Sequence, residues 1–230
     1  MPTALQPFTN LDLFALVCFV GAWIAYAGGS EWTSYGKQGL NSRMDVYREI
    51  WVQRMLERDM RMVDMQIMAS LQNGTAFFAS TSLIAVGGTL TLMRSTDDML
   101  VVFSALPFGI EATRIQWESK VIGLAIIFVY AFFKFAWSYR LFNYVSILFG
   151  AMPFVGDKDT AEAKEHVVRT ARLFESAGRH FNRGQRAFFF ALAYLGWFVS
   201  PWLFILTTAA ALVVMWRRQF ASDALRSVVS

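Results

Sequence analysis

No charged side chain falls between Asp64 and Arg94, and three other long stretches are nearly as bare. About 20 apolar residues at 1.5 Å each carry a helix across the roughly 30 Å hydrocarbon core of a bilayer. The chain therefore reads as an all-α, polytopic membrane helix bundle of four transmembrane helices with helical cytoplasmic extensions. Spans are expected at about residues 11–27, 68–93, 121–142 and 187–216, all within one integral membrane domain over 1–230. The third stays apolar as far as Phe149, and Gly196 and Pro201 are expected to kink the fourth. A shorter run, Met99 to Ile110, contains Pro107 and reads as an interfacial or re-entrant piece.

Composition agrees with this class. The chain is 56% hydrophobic and 17% charged, against about 25% charged in soluble domains. A net charge of +4 is spread over loops that also hold Asp and Glu, with no run of like charge that would suit nucleic acid. Cys18, the single cysteine, excludes an intrachain disulfide and a cysteine metal site, and reads as a small buried hydrophobe. His166 and His180 stand 14 apart, without the spacing of a metal helix, and read as solvated. No cofactor or metal is expected. Ala25-Tyr26-Ala27 resembles a signal-cleavage site, but no Lys or Arg precedes Lys37, so the segment reads as a retained span.

Asn10 reads as the N-cap of span one, with Asp12 favoured by the helix dipole and Trp32 and Tyr35 at the far interface. The first long loop carries Lys37, Arg43, Arg48, Arg54, Arg58 and Arg61. The loop before span four carries Lys158, Lys164, Arg169, Arg172, Arg179, Arg183 and Arg186. The positive-inside rule then puts both loops in the cytoplasm of a bacterial inner membrane protein and both termini in the periplasm. Arg217-Arg218, directly after span four, runs against that arrangement.

Both loops read as helical arms, about 41–66 and 160–186. Between Asn41 and Asp64 there is neither Gly nor Pro, so the first arm is expected to merge into span two. Met44, Trp51, Met55 and Met62 share one face within about 40°, and Val52, Leu56, Val63 and Ile67 share a second. Two apolar faces imply packing on more than one side. In the other arm, Asp159 with Glu162 matches a capping box.

Polar residues recur at one depth. Span two carries Gln72, Asn73 and Thr75; span three carries Lys134, Ser138, Arg140 and Asn143; span four begins after Gln185 and Arg186. A lysine in hydrocarbon faces protein or water, or lifts its amine to an interface. Asn73 or Gln72 is the expected partner of Lys134, and Asp64 is expected to reach Arg140 or Arg186. Two readings compete for the cluster: a hydrated site for an anion or an anionic lipid headgroup, or plain interhelical hydrogen bonding.

Other features carry less. Six of the 11 methionines lie between Met44 and Met68, where adaptable packing outweighs copper binding by Met60 and Met62. Thr75 with Ala79, Ala76 with Ser80, and Gly87-Gly88 allow close helix approach, within the chain or between subunits. There is no phosphate loop, no His-Glu-x-x-His and no Gly-x-Ser-x-Gly, so an enzyme is not expected.

Asn41-Ser42-Arg43, Trp51, the run Met68–Gly88, Lys120, the run Ser138–Pro153, and Gly178, Arg186, Trp197 and Pro201 together resemble the bacterial and plant membrane-protein family catalogued as domain of unknown function 599. The resemblance spans about Leu11 to Trp216. It implies a polytopic membrane protein and supplies no activity, substrate or cofactor; Arg140, Asn143 and Asn73 fit its pattern better than Lys134. The expected function is a structural or interaction component, assembling with itself or a membrane partner in the lipid bilayer. The alternative is a small channel or transporter passing Asn73, Lys134 and Arg140. The first is favoured because no inverted repeat relates the two halves.

Overall fold

The computed structural model describes residues 8–34, 36–105 and 113–229. Among these, all regular structure is helical: α1 (Asn10–Trp32), α2 (Leu40–Met55), α3 (Met62–Arg94), α4 (Thr96–Ser104), α5 (Arg114–Gly150), α6 (Ala161–Tyr194), α7 (Gly196–Val199), α8 (Pro201–Phe220) and α9 (Asp223–Val229). Four segments are long and apolar enough to cross a membrane: Asn10–Trp32, Met62–Arg94, Arg114–Gly150 and Pro201–Val228. The membrane helix bundle expected from the sequence is therefore what the chain forms.

The spine is α5, whose 37 residues reach about 55 Å. Helices α3 and α6 run antiparallel to it. Against α3, Asn143 meets Gln72 near one end of α5, and at the other end Arg114 meets Asp97 in α4, just past the end of α3. Against α6, Ser138 meets Ala177, while Gly123 lies against the Tyr194 hydroxyl. All three helices exceed the hydrocarbon thickness, so each projects beyond it at the α5 C-terminal end.

The fourth span is not the expected kinked helix over 187–216. Helix α6 stops at Tyr194, and α8 returns antiparallel beside it, bringing Arg218 to Gln185 and Thr207 to the Ala193 carbonyl. Two local causes reverse the chain. Ser200 is extended, caps Leu203 N with its hydroxyl, and is followed by Pro201, which starts a helix but cannot continue one. Gly196 has no side chain where a Cβ would lie 2.5 Å from Thr207 Oγ1 and 3.0 Å from Leu203 O. Helix α1 runs parallel to α8, with Phe19 against Phe204 and Tyr26 bonded to the Met215 carbonyl. The start of α1 and the end of α8 consequently lie at opposite ends of the bundle, which overturns the expectation of both termini on one side.

Three smaller expectations are corrected. The α1 cap is Thr9, not Asn10; its hydroxyl accepts from Asp12 N while Asp12 bonds back. The α6 cap is Thr160, whose hydroxyl accepts from Ala163 N, so the Asp159/Glu162 pair is not the box. The arm 41–66 does not merge into span two but turns over residues 56–61. No breaker residue marks that turn. It is held by Arg61, which donates to the Met152 and Pro153 carbonyls, and by Asp64, which accepts from Trp51 Nε1 at 2.6 Å and Arg58 at 2.9 Å. Asp64 therefore reaches neither Arg140 nor Arg186. Of the run Met99 to Ile110, the part up to Ser104 lies in α4; Pro107 and Tyr35 fall outside the described residues.

Two buried clusters result. One fills the membrane half with aromatic rings, including Phe19, Phe135, Phe190, Tyr194, Trp197 and Phe204. The other joins the arms through Val52, Met55, Met68, Phe149, Phe174 and Ala177. Lipid gives helices no hydrophobic drive to associate, so the first cluster rests on close packing. The second joins the ends of those spans to the arms, and arm side chains such as Met55 and Phe174 gain about 1.5–3 kcal/mol each on leaving water.

Candidate functional site

The polar residues expected at one depth separate into different surroundings. Gln72 Nε2 donates to Asn143 Oδ1 at 2.8 Å and Ser146 Oγ at 2.9 Å, tying α3 to α5. Ser138 donates to the Ala177 carbonyl at 2.8 Å, tying α5 to α6. Arg140 is exposed and bonds only within its own helix, to the Tyr144 hydroxyl at 2.6 Å. Asn73, one residue beyond Gln72 and so about 100° around the helix, is exposed and contributes nothing to the cluster. Lys134 meets neither Asn73 nor Gln72; its ammonium lies 5.1 Å from the Tyr130 ring. These tie points hold the helices in register, and only Arg186 belongs to a charged site.

That site forms where the last turn of α1, the start of α2 and the middle of α6 converge. Glu31, which the sequence did not single out, accepts from Arg183 Nη2 at 2.5 Å, Arg183 Nε at 3.1 Å and Arg186 Nη2 at 2.6 Å. Arg183 and Arg186 are one helical turn apart and so reach one carboxylate together. Arg186 is 8% exposed, with its guanidinium 5.5 Å from the Tyr26 ring. Helix α2 can start this close because Gly36 carries no side chain: a Cβ there would lie 2.5 Å from the Ser30 carbonyl oxygen. A cavity of about 200 Å³ remains, lined by Ser30, Glu31, Asn41, Ser42, Asp45, Arg179, Asn182 and Arg186. A narrower space adjoins it, bordered by Tyr26, Phe189, Met215, Arg218 and Gln219. Burial pushes the Asp45 carboxyl up, against the opposing pull of its partner Arg48.

Neither histidine is merely solvated. His166 Nε2 lies 2.9 Å from the Leu148 carbonyl oxygen, joining α6 to α5. His180 Nδ1 is buried with no hydrogen-bond partner. Burial first, and then Lys134, Arg183 and Arg179, hold its pKa down to about 4, with Glu31 opposing. Above pH 6.5 the imidazole is neutral whether the chain is folded or not. As pH falls towards 4, the unfolded chain takes up a proton that the folded chain refuses, so stability declines. The unfolding midpoint in detergent is expected to drop across that window, and His180→Gln to flatten the drop. Identical pH profiles for the two proteins would contradict this.

At the other end of the bundle, Trp197 Nε1 donates to Asp12 Oδ1 at 2.8 Å, and Lys120 donates to the Trp197 carbonyl at 2.8 Å. This pins α1 and α5 to the α6–α8 reversal. Sequence reasoning missed that knot and Glu31 alike. The available signal was one carboxylate at each end of span one, facing Lys or Arg at matching depth on other helices.

Helix α3 has a different character. It packs along α5 through Thr75, Ser82 and Thr89, which are buried, and meets α4 only at its far end. Its opposite side carries Ser70, Gly74, Phe77, Thr81, Ile84 and Gly88, spaced alternately by four and three. Around Gly74, Gly87 and Gly88 an added Cβ would find nothing within 4 Å. The small residues at Thr75 thus serve packing within the chain, whereas the Gly87-Gly88 pair faces outward.

No curated protein and no solved structure matches this sequence. The family described as "Protein of unknown function, DUF599" matches residues 14–224, nearly the whole chain, a region that holds most of each apolar helix and all of the Glu31–Arg183–Arg186 site. The chain belongs to that family.

Proposed function

We propose that the protein is a structural component of the membrane that assembles with copies of itself along α3. The observation that carries this reading is that α3, 33 residues long, has one substantial helical neighbour and an open small-residue seam on its other side. Gly74, Thr81 and Gly88 recur every seven residues, with Phe77 and Ile84 between them. Small residues at that repeat let a second backbone approach, and the larger ones fill the spaces between. The seam continues past the apolar part of α3 through Ile67 and Val63, which are 45% and 65% exposed. Apolar surface left in water there favours a covering subunit. The aromatic filling of the membrane half speaks against a path through a single chain, and Asn73 and Arg140, expected to line one, lie on its outside.

The sidedness expected from the sequence becomes simpler with the reversal at Pro201. Arg217, Arg218 and Arg226 join the basic arms at one end, leaving Arg94, Arg114 and Lys120 at the other. By the positive-inside rule the arms and the end of α8 face the cytoplasm, and α1 begins outside.

Cross-linking in native membranes tests the assembly. In a Cys18→Ser background, Thr81→Cys and Gly88→Cys are expected to form disulfide-linked dimers under mild oxidation, and Leu206→Cys on α8 to remain monomeric. Gly74→Leu with Gly88→Leu is expected to shift the native mass to that of one chain. A wild-type protein of single-chain mass, with no seam cross-links, would rule the proposal out.

A further inference from the structure

We infer that the cavity between α1, α2 and α6 binds a phosphate ester carrying free hydroxyls, the chemistry shared by a glycerol-type phospholipid headgroup and free glycerol phosphate. This goes beyond self-assembly and rests on different residues. The charge balance comes first. Asp45 is neutralised by Arg48 and Glu175 by Arg179, but Glu31 faces both Arg183 and Arg186, so that triad retains one positive charge. Lys134 and Arg218 add to the positive field around it.

The second observation is the state of the donors. Arg186 is more than nine-tenths buried and lines both spaces, yet among the described residues it hydrogen-bonds only to Glu31, through one N–H. A guanidinium offers five donors, and those that Glu31 does not take open onto the two spaces that Arg186 lines. A phosphate presents a fork of oxygens that matches this geometry. Asn41 and Asn182 are half-buried on opposite walls of the cavity, one from α2 and one from α6, and neither carboxamide has a partner among the described residues. Amides both donate and accept, as ligand hydroxyls require, and the Asp45 carboxylate supplies a further acceptor.

The third observation is position. The cavity sits where α1 ends, beside Trp32, which is 84% exposed. Tyr26 borders the narrower space that adjoins it and also an apolar groove between α1 and α8, formed by Ala22, Ala25, Leu212 and Trp216. A lipid could lay a chain in that groove with its headgroup beside Arg186; a soluble ester would use the polar cavity alone.

The full-length protein in detergent is titrated with dihexanoyl phosphatidylglycerol, glycerol 3-phosphate and dihexanoyl phosphatidylcholine, and binding is followed by calorimetry and by the tryptophan-monitored unfolding midpoint. Saturable binding of at least one of the two anions is expected, with a rise of several degrees at saturation. Phosphatidylglycerol binding alone identifies the lipid as the source, and binding of both anions identifies the headgroup chemistry as sufficient. Asn182→Asp places a negative charge in the cavity and is expected to weaken binding at least tenfold. Asn73→Asp, an equal charge change on the exposed face of α3, is expected to leave it unaltered. Unliganded midpoints of both variants establish that they are folded. The inference is overturned if neither anion saturates, if phosphatidylcholine binds equally well, or if the two variants behave alike.

Discussion

Glu31→Ala is expected to destabilise the bundle by about 3 kcal/mol, the lower end of the range for removing one partner of a buried ion pair. The loss is not simply that of three hydrogen-bonded contacts. Arg183 and Arg186 would stay behind, and Arg186, with a side chain only 9% exposed, would be left as an uncompensated charge. Because Glu31 ties the end of α1 to the middle of α6, its removal also loosens α1 from the arms. The measurement is reversible unfolding in mixed micelles, comparing Glu31→Ala with a triple variant in which Glu31, Arg183 and Arg186 are all methionine. The triple variant is expected to recover most of the loss, since no charge is left unpaired. If Glu31→Ala unfolds with the wild type, the carboxylate does not hold these helices together.

Gly184→Leu is expected to be at least as damaging, through shape and not charge. At Gly184 an added Cβ would lie 2.6–2.8 Å from three ring atoms of Phe135. That ring cannot retreat: it is fully buried, stacked on Phe78 at 5.3 Å and flanked by Phe181 and Phe188. Overpacking by a single methyl, as in Gly184→Ala, costs about 1–3 kcal/mol. A leucine forces α5 and α6 apart and separates both clusters at once. Phe135→Ala alone opens a void costing about 3–5 kcal/mol. The combination Phe135→Leu with Gly184→Ala is expected to be milder than the sum of its parts, because the new methyl occupies space the ring vacates. Additive losses would show that the two residues do not share that space.

The sequence made depth legible and azimuth illegible. Distance from a charged boundary places a residue along a span, and Gln72 and Asn143, expected at one level, do meet. The same argument put Asn73 and Arg140 in the cluster, yet each points out of the bundle, because which side of a helix finds a neighbour depends on tertiary packing. The turn at 56–61 could not be read either. It contains no Gly or Pro and is imposed by Arg61 and Asp64 through partners 6 to 92 positions away in the chain. The reversal near Pro201 left a trace, in Gly196, Ser200 and Pro201, which is equally compatible with a kink. What separates the two outcomes is whether α8 finds α6 to lie against, and periodicity does not report that. Glu31 was passed over because a lone glutamate beside a span resembles many solvated ones until its two arginines fold back onto it.

The reversal also dictates an order of biogenesis. The part of α6 that belongs among the apolar helices, residues 187–194, is too short to leave a translocation channel for lipid by itself. It is therefore expected to enter lipid together with α8, as a pair. Nascent chains arrested before Pro201 would therefore keep this whole limb in water, its aromatic tip unburied and available to chaperones.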